Sequence, residues 1–97
     1  ATPVYWWGMK GQLKLVIDKC YCRGMQMKGK KVGFIVAGGA TTDNIQYELI
    51  GKQFECMAEY LSWDILFSKS YSANGKDELA KNVDAMEELE TLGKNVK

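Results

Sequence analysis

Apolar positions along the chain change period several times, and each change marks an element. Leu13, Val16, Ile17 and Cys20 fall at the three- and four-residue spacing of one helix face, which predicts a helix from about Gly11 to Tyr21 with Cys20 as a core residue one turn beyond Val16 and Ile17. Met25, Met27 and a Lys/Gly cluster make a connector. Val32-Gly33-Phe34-Ile35-Val36-Ala37 is a nearly continuous apolar run ended by Gly38-Gly39, the pattern of a strand covered on both faces. Thr41-Thr42-Asp43 offer capping side chains. Ile50, Phe54, Met57, Ala58 and Leu61 then recur on one face of a helix expected over 43–61, with Gly51 a mild interior penalty. Trp63, Ile65 and Phe67 alternate with Asp64, Leu66 and Ser68, which predicts a final strand near a sheet edge. Ser72 to Gly75 is expected as a loop, followed by one helix striped with Leu79, Val83, Met86, Leu89 and Leu92 and capped by Gly93.

Strand, helix, strand in this order implies a parallel crossover unit. Open sheets of that kind bind ligands at the carboxyl ends of their strands. Gly38-Gly39 lies at one such end, although a glycine pair after a strand is by itself more often a tight turn. The stretch before the first helix, Thr2-Pro3-Val4-Tyr5-Trp6-Trp7-Gly8-Met9, has the composition of a loop leaving another strand. Pro3 biases Thr2 toward extended backbone, and Gly8 permits a sharp turn or a close approach. Tyr5, Trp6 and Trp7 supply ring faces and edges suited to a planar heteroaromatic or to packing on a partner. Met9 is more simply a gap-filling packing residue.

Composition narrows the chemistry. The 97 residues carry a formal charge of +1 and no histidine, so a Ser/His/Asp arrangement is excluded and zinc would have only three thiols and carboxylates to draw on. Cys20, Cys22 and Cys56 form an odd set, better read as reduced thiols than as a disulfide framework. No metal site is expected, and no catalytic side chain stands out; Asp64 and Asp77 read as a strand start and a helix start. Lys28-Gly29-Lys30-Lys31 is a solvated basic turn in an otherwise balanced chain, so no nucleic-acid partner is expected. There is no apolar run long enough to span a bilayer and no signal-peptide pattern, which makes a membrane partner unexpected and the cytoplasm the default compartment.

The run TPVYWWGMKGQLKLVIDK, followed in order by MKGKKVGFIVAGGATTDN and a final strand and helix, resembles the flavodoxin-like NAD(P)H-dependent FMN reductase family along nearly the whole chain. The resemblance implies an α/β fold: the carboxyl-terminal part of a flavodoxin-like doubly wound parallel sheet, about two strands and three helices, forming a single incomplete domain. It implies FMN as cofactor, NAD(P)H as cosubstrate and a small-molecule electron acceptor. Thr2, Pro3, Tyr5, Trp6, Trp7, Gly8 and Met9 would border the flavin ring and ribityl chain, with Gly38 and Gly39 letting the next loop approach. The family's first strand, phosphate-binding loop and first helix have no counterpart in this sequence. The chain alone is therefore expected to be inactive and to depend on a homo-oligomer or a complementing chain. The competing expectation is a non-enzymatic fragment or subunit whose aromatic loop serves oligomer packing.

Overall fold

A computed structural model of the chain describes residues 1–75 and 77–96. Its elements are β1 (Thr2–Tyr5), β2 (Gly8–Met9), α1 (Gly11–Cys20) continued by a short 3-10 turn at Tyr21–Arg23, β3 (Lys31–Gly38), α2 (Ile45–Leu61), β4 (Asp64–Ser72), α3 (Glu78–Lys81) and α4 (Val83–Lys94). Four strands form one sheet in the order β2-β1-β3-β4. Strands β1, β3 and β4 are mutually parallel, and β2 alone runs antiparallel to β1. The architecture is α/β with a mostly parallel sheet, in place of the two strands and three helices expected.

The extra strands come from the aromatic stretch. Thr2 and Pro3 pair with Val36 and Ala37, so the residues expected as a loop are the end of a strand followed by a hairpin. Pro3 has no N–H to give a ladder, but its fixed φ suits extended backbone at a strand of only four residues.

Strand β3 is the axis of the molecule. It pairs with β4 from Lys31↔Asp64 to Gly38↔Ser72, with one irregularity at Val32/Gly33. Gly33 is required there because the Phe67 ring lies across it: a Cβ at Gly33 would sit 2.3 Å from Phe67 Cζ. β4 forms the sheet edge, as its alternating pattern implied, but it continues through the expected loop start to Ser72.

Helix α2 supplies most of the core. Its buried residues, Tyr47, Ile50, Phe54, Ala58 and Leu61, recur at three- and four-residue intervals, and Ile50 is fully enclosed. Phe54 stacks on Phe34 of β3 with ring centroids 4.2 Å apart, and Val36 completes the central cluster. The amino-terminal cap is Asn44, whose side chain accepts the Gln46 N–H at 3.1 Å, and not the Thr41-Thr42-Asp43 set; Thr41 instead donates to Asp43 at 2.5 Å. Helix α1 follows the expected bounds but buries no residue. Leu13 and Ile17 are half-buried against the core cluster, while Leu15 and Val16 are 62% and 59% exposed. Cys20 is only partly buried, its Sγ donating weakly to the Val16 carbonyl at 3.5 Å, so it is not the core residue expected.

The last expected helix is two. Asn82 adopts extended backbone and caps α4 by accepting the Ala85 N–H at 3.2 Å, which separates Leu79 in α3 from the rest of the stripe. Capping wins over continuation because Asn bonds backbone readily outside a helix. Gly93 lies inside α4, one residue before its end, and Asn95 closes it. Polar contacts tie α4 to β4: Glu88 accepts from Lys69 at 2.7 Å and from the Tyr71 hydroxyl at 2.9 Å. Among the described residues no helix is long and apolar enough to cross a membrane.

Candidate functional site at the carboxyl ends of the strands

Because β1, β3 and β4 are parallel, their carboxyl ends meet at one edge of the sheet. Three connections leave from there: the hairpin at Tyr5–Gly8, the segment after Gly38, and the loop after Ser72. The hairpin and β3 touch at Val4 and Gly38, where a Cβ on Gly38 would lie 2.9 Å from Val4 Cγ2 and from the Tyr47 hydroxyl oxygen. Tyr47 donates that hydroxyl to the Ala40 carbonyl at 2.6 Å, and burial pushes its pKa up. Ala73 N–H closes onto Gly38 O at 2.7 Å, joining the β4 loop to the end of β3.

Sequence-expected site residues divide into two groups at this edge. Thr2 is buried, 4% exposed, and its hydroxyl bridges two backbone groups: it donates to Pro3 O at 2.8 Å and accepts the Lys10 N–H at 2.9 Å. Met9 is half-buried and packs against the core cluster beside Val4. Gly38 makes room for Val4 and Tyr47, and Gly39 for Asn74, whose Oδ1 would be 2.7 Å from a Cβ there. These residues are engaged by the chain itself. Tyr5, Trp6 and Trp7 are 58%, 90% and 53% exposed, and the two indoles meet edge to face with centroids 5.1 Å apart.

The turn that presents the indoles is unusual. Val4 pairs with Met9 and Tyr5 with Gly8, leaving Trp6 and Trp7 as a two-residue loop with φ of 46° and 62°. This hand of turn matches strand twist, and Asn-Gly normally fills it because both positions need positive φ. A bulky L-residue held there costs about 1–2 kcal/mol. Trp6, 90% exposed, recovers little of that cost from burial within the chain.

Loop residues that the sequence did not single out also shape the edge. The Asn74 and Gly75 N–H groups converge on Glu78 Oε2 at 2.6 and 2.7 Å, so the obvious pair of anion-directed donors is taken by the chain's own carboxylate. The Asn74-Gly75 turn signal and the Glu78 at the following helix start were the only hint. A cleft of about 1060 Å³ opens between α1 and α2, with Ile17, Cys20, Cys56 and Met57 among its lining residues. It shares only Trp7 and Met9 with the expected site. The strand-end edge is the better candidate, because a parallel sheet converges its loops there, whereas the cleft exists because α1 packs loosely.

Residues 1–62 match the family model described as NADPH-dependent FMN reductase. Among solved structures, the chain is similar to the Trp repressor binding protein from Bacillus subtilis, with 25% identity and a TM-score of 0.81, covering 100% of this chain and 67% of that one. That likeness supports a flavodoxin-like portion and gives no support to its expected carboxyl-terminal placement. No curated protein matches the chain significantly.

Proposed function

The chain belongs to the NADPH-dependent FMN reductase family, and on that premise we propose that it is part of an FMN-dependent NAD(P)H oxidoreductase, of flavin or quinone reductase type, whose flavin ring is met by the hairpin. The observation carrying this reading is the placement of Tyr5, Trp6 and Trp7, exposed, at the carboxyl ends of parallel strands. Solvent-exposed rings at the edge where such sheets take ligands suit a planar heteroaromatic.

The residues present fit the ring end of FMN better than its phosphate. Tyr5, Trp6 and Trp7 would lie against the isoalloxazine, with Gly8 and the main-chain N–H groups of the turn near its polar edge. Thr2, Pro3 and Met9 would support that loop from below, and Gly38 and Gly39 would keep the neighbouring loop low. The converging N–H groups of Asn74 and Gly75 are already bonded to Glu78, so the phosphate would need donors from other residues. When bound, FMN would supply hydride exchange with NAD(P)H through N5 and electron delivery to a small acceptor. The protein's own share is to orient the ring and exclude water; no side chain need act as nucleophile or base.

Titrating the chain with FMN while following flavin fluorescence tests this. Saturable binding that Trp6→Ala weakens by at least tenfold is the expected result. Binding unaffected by Trp6→Ala would move the ring elsewhere.

A second reading has its own observation. Leu15, Val16, Tyr21 and Met25 are all more than half exposed around α1, as expected of a subunit that packs on another chain. On that reading the hairpin is part of the same contact, and a folded oligomer would form without taking up flavin.

A further inference from the structure

The near-neutral charge of the chain conceals two unlike parts. Residues 1–42 carry seven basic side chains and one acidic, whereas residues 43–97 carry six basic and eleven acidic. Folding turns this division into two surfaces of opposite sign, each with exposed apolar side chains in it. We propose that these surfaces fit one another between copies of the chain: α4 of one copy lies in the cleft between α1 and α2 of the next. The contact does not depend on flavin.

The receiving surface is longer than the cleft itself. Tyr21, Tyr60 and Leu61 line both the cleft and a second hollow beside it, which Arg23 and Lys28 border. Charges within the cleft are already matched, Lys14 with Asp18 and Lys52 with Glu55. Those at its end are not. Lys19, Arg23, Lys28 and Lys30 are all exposed, and none has a carboxylate partner among the described residues. An apolar groove that ends in unmatched cations calls for a partner that is apolar and acidic together.

Helix α4 has such a face. Ala85 is buried and Glu88 is held by β4, which turns Val83, Met86, Glu87 and Glu90 to the opposite side, at the spacing of one helix stripe. Val83 and Met86 are exposed there. Glu87 makes no ion pair among the described residues, and Glu90 makes one exposed pair with Lys94. Anchors at these intervals are how an amphipathic helix seats in a groove.

The sheet decides how copies join. Phe34 faces α2 through Phe54 and pairs with Ser68, so the alternate residues Lys69 and Tyr71, which hold Glu88, face the other way. Helix α4 and the cleft therefore lie on opposite faces, and no copy can fill its own groove. The contact runs head to tail between two different surfaces, so copies add in a row unless the rotation closes a ring.

Sedimentation velocity over a concentration series tests this, with circular dichroism to verify folding. Wild-type chain should associate as concentration rises and less so in high salt, which screens exposed charges. The double variants Arg23→Glu, Lys28→Glu and Glu87→Lys, Glu90→Lys each set like charges against each other, and each should weaken association by about tenfold or more. Mixed in equal amounts, the two should associate again, because the groove made acidic receives the helix made basic while the unaltered groove and helix still match. General loss of solubility or fold would not be repaired by mixing. A wild-type chain that stays monomeric would overturn the proposal and leave the cleft to another occupant. Association unmoved by either variant would place the contact elsewhere, and a mixture that stays apart would overturn the pairing of these two surfaces. Should a charge reversal disturb the fold, the neutral variants Arg23→Gln, Lys28→Gln and Glu87→Gln, Glu90→Gln decide: each should weaken association about threefold, and no weakening would overturn the proposal.

Discussion

Helices α1 and α2 share one sequence pattern, apolar residues at three- and four-residue spacing, yet only one of them builds a core. α2 buries five residues between the strands it connects and Ile50 is wholly enclosed. α1 buries none, and Val16, in the middle of its expected face, is 59% exposed. Periodicity measures the width of an apolar stripe; burial needs something on the other side. α2 spans from β3 to β4, whose ladder is the longest in the sheet. α1 spans from a two-residue strand to β3 and meets the core only through Leu13 and Ile17. The wide cleft between the two helices is the visible result.

Truncation should separate the helices most sharply. Ile50→Ala should cost about 2–5 kcal/mol in a denaturant melt, while Ile17→Ala, at a side chain only partly buried, should cost about 1 kcal/mol. Equal costs would break the comparison and mean that α1 is packed more tightly than its exposure indicates.

α4 offers a third case, a helix attached by polar contacts where α2 is attached by apolar ones. Hydrogen bonds from Lys69 and then Tyr71 hold the Glu88 carboxyl below its ordinary range. Burial, then the bond to Glu88, pushes Tyr71 up to about 12. A depressed carboxylate contributes stability that is present above its unfolded value and lost as pH falls through the folded one. A raised tyrosine contributes stability that is present below about 10, its unfolded value, and lost as pH climbs toward about 12. Melting temperature should therefore fall at both acid and alkaline ends. Glu88→Gln should flatten the acid limb; an unchanged acid limb would assign it to other carboxylates.

A smaller effect tests α2 itself. Gly51 sits in its interior with nothing within 4 Å of where a Cβ would be, so Gly51→Ala should stabilise by about 0.5–1 kcal/mol. A loss would show that the position is tighter than its surroundings indicate. Smallest of all, Val16→Lys should change thermal stability by less than about 0.5 kcal/mol; a large loss would mean that its face of α1 is covered in solution.

The candidate site was legible in part for the same reason. The aromatic run and the glycine pair were visible because unusual composition survives without coordinates. Their division into exposed rings and internally engaged residues was not, because it depends on which neighbour fills the space. That Gly38 lies against Val4 and Tyr47, and that the Thr2 hydroxyl accepts the Lys10 N–H, follows from the neighbours alone.

By itself the sequence determined the α/β order, the identity of β3 and α2, and the presence of a ring-rich connection before α1. Those follow from period and composition, which are local properties of the chain. Tertiary structure alone decided that the connection is a hairpin on β1, that Asn82 interrupts the last helix, and that α1 remains half covered. Each of those is a choice between competing local partners, and only the neighbouring strand, cap or helix supplies the free energy that makes it.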